Sequence, residues 1–150
     1  MEKSEDIQKR LRELFDSQNL AVLATHNAGQ PYASLVAFVA TEDLKQIYFV
    51  TPKTTRKFSN LSQDNRVALL VNSSINQSED FHRAIAVTAV GSAEEITGQL
   101  REQILKQYLA KHPHLEDFVK SPSCALVQVT TRAYYMVKNF QTVMELHINP

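Results

Sequence analysis

Ile47-Tyr48-Phe49-Val50-Thr51-Pro52-Lys53-Thr54-Thr55-Arg56-Lys57 is the stretch on which the reading of this chain turns. Its first five residues are aromatic and β-branched, with no charge to place on an outer face, and predict a strand. Pro52 closes that run. Thr54 or Thr55 then stands where a cap belongs, and the spacing predicts a short helix over 54–61. From 44 to 63 the chain carries Lys45, Lys53, Arg56 and Lys57 without a carboxylate. With 16 basic and 16 acidic residues overall, this is the clear local imbalance in a neutral protein. A helix start offers unpaired N–H groups and the positive end of a dipole. Two hydroxyls and adjacent Arg and Lys make it an anion site in physical terms, with a phosphate monoester as the natural guest. The competing reading is a capped, solvated basic helix with no ligand.

Working outward, Asn27-Ala28-Gly29-Gln30 reads as a turn between a strand over 20–26 and a second run, Tyr32 to Ala40, opened by Pro31. With 47–51 these form an antiparallel meander. Before them, Ile7, Leu11, Leu14 and Phe15 recur at helical spacing, with Ser4 as the cap and Glu5 and Asp6 at the positive end. After them come a strand over 66–71, a polar loop over 72–80 and a strand within 83–96. A helix over 97–111 follows, with Leu100, Ile104, Leu105, Tyr108 and Leu109 on one stripe and Pro113 as its stop. Cys124 to Val137 and Thr142 to Ile148 predict two last strands. The expected fold is mainly β (α+β), a single domain over 1–150. It is a six- to seven-stranded antiparallel barrel with flanking helices, closed so that strand edges are not exposed. Strands apolar on both faces, such as 21–25, 35–40 and 67–71, need helices or a second copy of the chain over their outer face, and a homodimer is the economical answer.

Composition removes other classes. A net charge of zero leaves no basic face for nucleic acid. Three glycines, all apart, exclude the clustered-glycine nucleotide loops. One cysteine, Cys124, allows no disulfide framework and reads as a small buried hydrophobe. His26, His82, His112 and His114 lack the spacing of a helical metal site and are expected at the surface. No run nears the roughly twenty apolar residues of a membrane span, and the first 18 residues carry no signal peptide, so a cytoplasmic location is expected.

Taken in order, Gly29-Gln30-Pro31, Ser34-Leu35-Val36-Ala37-Phe38, Ile47 to Thr51, Thr55-Arg56-Lys57 and Asp64 to Val71 resemble the pyridoxamine 5′-phosphate oxidase-like family, the FMN-binding split barrels. The resemblance runs from about residue 20 to 96. It implies a split barrel that dimerises with FMN at the interface. Ser34, Leu35, Val36 and Ala37 would then lie along the flavin ring. Val50 and Thr51 would meet the ring or ribityl chain, and Thr55, Arg56 and Lys57 would take the phosphate. The substrate positions depart from the oxidases: Val39 aligns with a lysine, Ser34 with an arginine, and His112 falls near the arginine that should follow Tyr108. Glu145-Leu146-His147-Ile148 does not match their basic C-terminal motif. The implied function is an FMN-dependent oxidoreductase acting on a small molecule other than pyridoxamine 5′-phosphate. The alternatives are a flavin carrier, a haem-binding or haem-degrading relative with His147 as the candidate iron ligand, and a deazaflavin-dependent reductase.

Overall fold

The computed structural model describes residues 4–149. Helix α1 (Ser4–Ser17) leads into the hairpin β1 (Leu20–Asn27) and β2 (Gln30–Ala40), followed by β3 (Gln46–Pro52), α2 (Arg56–Gln63) and β4 (Arg66–Asn72). A one-turn helix α3 (Asp80–Arg83) precedes β5 (Ile85–Ile96) and α4 (Gly98–Lys111). A 3-10 turn over Pro113–Leu115, α5 (Glu116–Lys120), β6 (Cys124–Lys138) and β7 (Thr142–His147) complete the chain.

The sheet runs β3-β2-β1-β4-β5-β6-β7, and β3 also pairs with β6. Six antiparallel strands therefore close into a barrel, with β7 added outside the ring. One long strand makes this possible. The first half of β6 pairs with β3 (Cys124 with Pro52 through Thr130 with Gln46), and its second half pairs with β7 (Ala133 with His147 through Lys138 with Thr142). At the changeover Arg132 is a bulge residue: Gly91 faces Thr131 while Val90 faces Ala133. Bulges bend a strand and tighten its twist, and here the bend lets β6 pass from one neighbour to the next. Gly91 is required by close approach. A Cβ on it would lie 2.2 Å from the Thr130 carbonyl oxygen.

The β1–β2 connection has positive φ at both central residues, Ala28 (50°) and Gly29 (88°), the two-residue loop that matches strand twist. His26 staples it. The Gly29 N–H donates to His26 Nδ1 at 3.2 Å, and His26 Nε2 lies 3.1 Å from Asp64, whose carboxylate also receives Arg66. Those contacts hold the Asp64 carboxyl well below the usual carboxylate range, the Arg66 hydrogen bonds contributing most.

Two apolar clusters share the work. The barrel interior holds Leu23, Phe38, Phe49, Leu69, Val87, Val127 and Met136, and α1 caps it with Leu11, Leu14 and Phe15. Outside, Tyr48, Val50, Ile96 and Leu126 pack against Ile104, Leu105 and Tyr108 of α4. Strands apolar on both faces are thus partly covered within one chain, because α4 lies over β2 and β3. Three expectations are corrected. Leu100 is 50% exposed and lies off the buried stripe of α4. Ser4, read as a cap, is already helical. His112 is buried, not a surface residue. The helical turns at 80–83 and 113–120 are too short to show a periodic pattern, and sequence did not reveal them.

His112 is bonded at 2.8 Å through Nε2 to the Phe38 carbonyl, so its neutral form carries the proton there. Burial pushes its pKa below the ordinary histidine value, with Lys111 and His114 acting in the same direction. A base whose folded pKa is depressed stabilises the fold less as pH falls through its unfolded value, because the unfolded chain takes up the proton first. Wild-type stability should therefore fall as pH drops through and below about 6.5. His112→Leu should be less stable at neutral pH but show a shallower acid loss in urea titrations. An equal acid loss in both proteins contradicts the assignment. Gly91→Ala should cost about 1–3 kcal/mol in the same assay, since backbone must yield; unchanged stability would show that the bulge is not tight.

Candidate functional site

The barrel is not zipped along its whole length. β2 and β3 pair only at Phe38–Phe49, Val39–Tyr48 and Ala40–Ile47. Beyond Phe38, the edge of β2 away from β1 has no strand partner back to Gln30, and Val50 to Pro52 of β3 likewise face no strand on that side. A seam opens between them. The Ala37 carbonyl on this edge accepts the Tyr108 hydroxyl at 2.9 Å. Antiparallel alternation places the N–H and C=O of Ala33 and Leu35 on the same edge.

Helix α2 begins at the mouth of the seam. Thr55 is its N-cap, extended at φ −81° and ψ 155°, and its hydroxyl accepts the Phe58 N–H at 3.3 Å. That hydroxyl also donates to the Pro52 carbonyl at 2.9 Å and lies 3.0 Å from the buried Thr51 hydroxyl. At the far side of the helix, buried Asn60 donates to Thr25 Oγ1 at 3.1 Å, and Leu61 enters the core. Both ends of α2 are thus tied to the barrel rim. Its first two N–H groups, on Arg56 and Lys57, have no partner among the described residues. Neither side chain meets a carboxylate there. Arg56 instead lies over the Tyr32 ring at 5.6 Å from its centroid. Lys53 does pair, with Glu95 at 3.4 Å.

A cleft of about 770 Å³ lies beside this helix start, lined by Thr54, Thr55, Arg56 and Ser59 on one side and Asn27, Gln30 and Tyr32 on the other. The residues expected at a site fall into distinct positions. Thr55 and Arg56 line the cleft; Lys57 is half-buried next to them. Leu35 is 60% exposed. Val36, Val50 and Thr51 are buried, so only their backbone or an atom at the seam is available to a ligand. The Ser34 hydroxyl is buried without a hydrogen-bond partner. It lies on the face of β2 that carries Val36 and Phe38 into the barrel interior, and a buried hydroxyl left unpaired costs free energy. Tyr32, Asn27 and Gln30 were missed. The available signal was Tyr32 standing two residues before Ser34, on the same strand face.

Positions that the sequence comparison placed at a substrate site are used for packing. Tyr108 is fully buried, and burial pushes its hydroxyl up to about 12. Val39 packs with Tyr48 and Val50. Lys111, beside His112, donates to the Phe15 carbonyl at 2.8 Å and lies 4.0 Å from the Phe38 ring centroid; burial brings its pKa down to about 8. His147 stands exposed on β7, 3.1 Å from Glu145. No group of three metal-ligating side chains occurs among the described residues, and no described helix is long and apolar enough to cross a membrane.

A profile of the pyridoxamine 5′-phosphate oxidase family matches residues 7–138. The chain belongs to this family. No curated protein matches it by sequence. Among solved structures, a heme binding protein from Mycobacterium smegmatis superposes with a TM-score of 0.83 at 16% identity, covering 98% of this chain and 59% of that one. The chain thus spans under two thirds of that protein. HutZ, the heme storage protein from Vibrio cholerae, gives 0.73 at 16% identity over 91% and 92% of the two chains. A Clostridium acetobutylicum protein of the pyridoxinephosphate oxidase family, related to general stress protein 26 of B. subtilis, gives 0.72 at 16% identity over 96% of each. At these identities the likeness is one of fold. Split-barrel architecture and family membership agree with the series of residues from Gly29 to Val71.

Proposed function

We propose that this family member binds FMN in the β2–β3 seam and acts as an FMN-dependent oxidoreductase on a small molecule. The observation that carries the reading is the start of α2. Two unpaired N–H groups, the Thr55 cap and two cations without carboxylate partners stand where the free edge of β2 ends. In this reading the phosphate meets the Arg56 and Lys57 N–H groups and side chains. The seam backbone of Ala33 and Leu35 offers donors and acceptors to the polar edge of the ring. When bound, the flavin supplies the redox chemistry. The chain's own groups bind, orient and exclude water.

The same reading makes the working unit a homodimer. Leu35, beside the seam, is 60% exposed, and Leu70 on β4 is 38% exposed; a second copy would cover such side chains and complete the flavin pocket. Pyridoxamine 5′-phosphate is not the substrate in this account. Val39 offers no charge, and Tyr108 and His112 are committed to the Ala37 and Phe38 carbonyls.

Charge-assisted contacts to phosphate are worth about 1.5–3 kcal/mol each, roughly ten- to a hundredfold in dissociation constant. Arg56→Ala and Lys57→Ala should each weaken FMN by that factor while riboflavin, lacking the phosphate, binds as before. Lys53→Ala should alter neither, its ammonium being held by Glu95. Fluorescence titration of the apo-protein reads all three. Equal losses for FMN and riboflavin would move the phosphate away from α2, and unchanged affinities would leave a solvated basic helix.

A further inference from the structure

Of the four cations in the carboxylate-free stretch from 44 to 63, three are accounted for. Arg56 and Lys57 stand at the start of α2, and Lys53 pairs with Glu95. Lys45 lies elsewhere. It is exposed at the end of the β2–β3 loop, and its backbone carbonyl accepts the Thr131 N–H at 2.9 Å. That bond sets Lys45 beside the bulge of β6, where Arg132 is also exposed. Neither the Lys45 nor the Arg132 side chain makes a hydrogen bond or ion pair among the described residues.

The sheet lays out a row of polar residues alongside these two. Strand register aligns Arg66 with Ser92, Ser92 with Thr130 and Thr130 with Gln46, so the four lie side by side across β4, β5, β6 and β3. All four, with Lys45 and Arg132, line a cleft of about 430 Å³. That volume is within the range of small-molecule sites, roughly 300–1,000 Å³. A second cleft of about 330 Å³ shares Arg66, Gly91 and Arg132 with it. Neither has a lining residue in common with the cleft beside α2. The bulge is what presents Arg132. With Gly91 facing Thr131 and Val90 facing Ala133, Arg132 has no residue opposite it on β5, and an extra residue of this kind re-aims a side chain.

No carboxylate lines either cleft. The carboxylates on neighbouring residues are held by other groups. Asp64 takes Nε and Nη2 of Arg66 and lies 3.1 Å from His26 Nε2. Asp43 accepts the Thr41 hydroxyl and the Lys45 N–H, and Glu94 accepts the Gln128 amide. Arg66 keeps Nη1 free of Asp64, and the Ser92 and Thr130 hydroxyls make no hydrogen bond among the described residues. Two uncompensated charges, a third guanidinium and two hydroxyls therefore offer donors to one cleft, which suits an anion. The size of that anion follows from strand spacing. Arg66 and Gln46 stand three strands apart, roughly 14 Å, so Arg66 and Lys45 mark opposite ends of the row. A single phosphate meets one end, whereas two linked phosphates reach towards both.

We infer that this cleft is a binding site for a diphosphate group, with Lys45 at one end, Arg66 at the other, and Arg132 and the Ser92 and Thr130 hydroxyls between them. The site is separate from the flavin seam and does not depend on the function proposed above.

The test is a titration of isotope-labelled protein with pyrophosphate, read from backbone amide chemical shifts. Physiological salt screens charges more than about 8 Å apart, which removes diffuse attraction. The amides of Gly91, Ser92, Thr130 and Arg132 should shift together and saturate. Losing one charge-assisted contact is worth about tenfold, so Arg132→Ala and Lys45→Ala should each weaken the dissociation constant read at those amides by that factor. Arg132→Lys, which keeps the charge, should lose less. Any shifts at residues 55–57 report the α2 site separately and should be the same in all these variants. Inorganic phosphate should bind about tenfold more weakly than pyrophosphate. Lys45 lies on an exposed loop, so its variant carries the test if Arg132→Ala fails to fold. Shifts confined to residues 55–57, or a dissociation constant unchanged by both alanine variants, overturn the site. Phosphate binding as tightly as pyrophosphate overturns the diphosphate assignment.

Discussion

Three residue pairs, Phe38–Phe49, Val39–Tyr48 and Ala40–Ile47, join β2 to β3, and the pairing stops there. Backbone polar groups beyond that point need other partners, because an unmet buried N–H or C=O is costly. Part of the demand is met by α4. Tyr108 reaches the Ala37 carbonyl on that edge, while His112, the C-cap of α4, takes the Phe38 carbonyl on the β1 side and Lys111 reaches α1. The rest of the β2 edge, from Ala37 back to Gln30, has no strand beside it. Closure of the barrel around this gap depends on β6, which serves β3 and β7 in succession across the bulge at Arg132 and Gly91.

The gap would be a liability without the short helix at its mouth. Helix α2 has eight residues and would not hold its shape alone in water. It is fixed by contacts with the barrel rim: Thr55 to Pro52 and Thr51 at one end, Asn60 to Thr25 at the other, with Leu61 in the core between strands. A rigid helix start can hold unpaired N–H groups and two like charges in place without a ligand. Preorganisation of this kind is what gives an anion site affinity. The same anchoring fixes Arg56 over Tyr32, which joins the helix start to the hairpin tip.

Much of this was legible before the structure. The strands, the meander, a threonine cap at 54 or 55 and the buried cysteine follow from period, turn chemistry and capping, which are local; the structure selects Thr55. The carboxylate-free stretch from 44 to 63 pointed to the helix start because charge imbalance survives folding. What sequence hid was non-local. Nothing near His112 announces that its ring will meet the Phe38 carbonyl across the fold, and its neighbours Pro113 and His114 look like a surface turn. Asn60 is an ordinary polar residue until β1 is placed beside it. Tyr32 meets Arg56 only when α2 folds back over the hairpin. Leu100 fitted the helical stripe yet faces solvent, since the stripe is set by where α4 crosses β2 and β3.

The central claim is that the seam and the start of α2 form one ligand site. A crystal structure of the protein grown with FMN tests it most directly. The account predicts the flavin ring along the free edge of β2 near Ser34 to Ala37, in contact with a second copy of the chain. The phosphate should lie within hydrogen-bond reach of the Arg56 and Lys57 N–H groups. A flavin bound elsewhere, or one whose phosphate points away from α2 within a single chain, would contradict it.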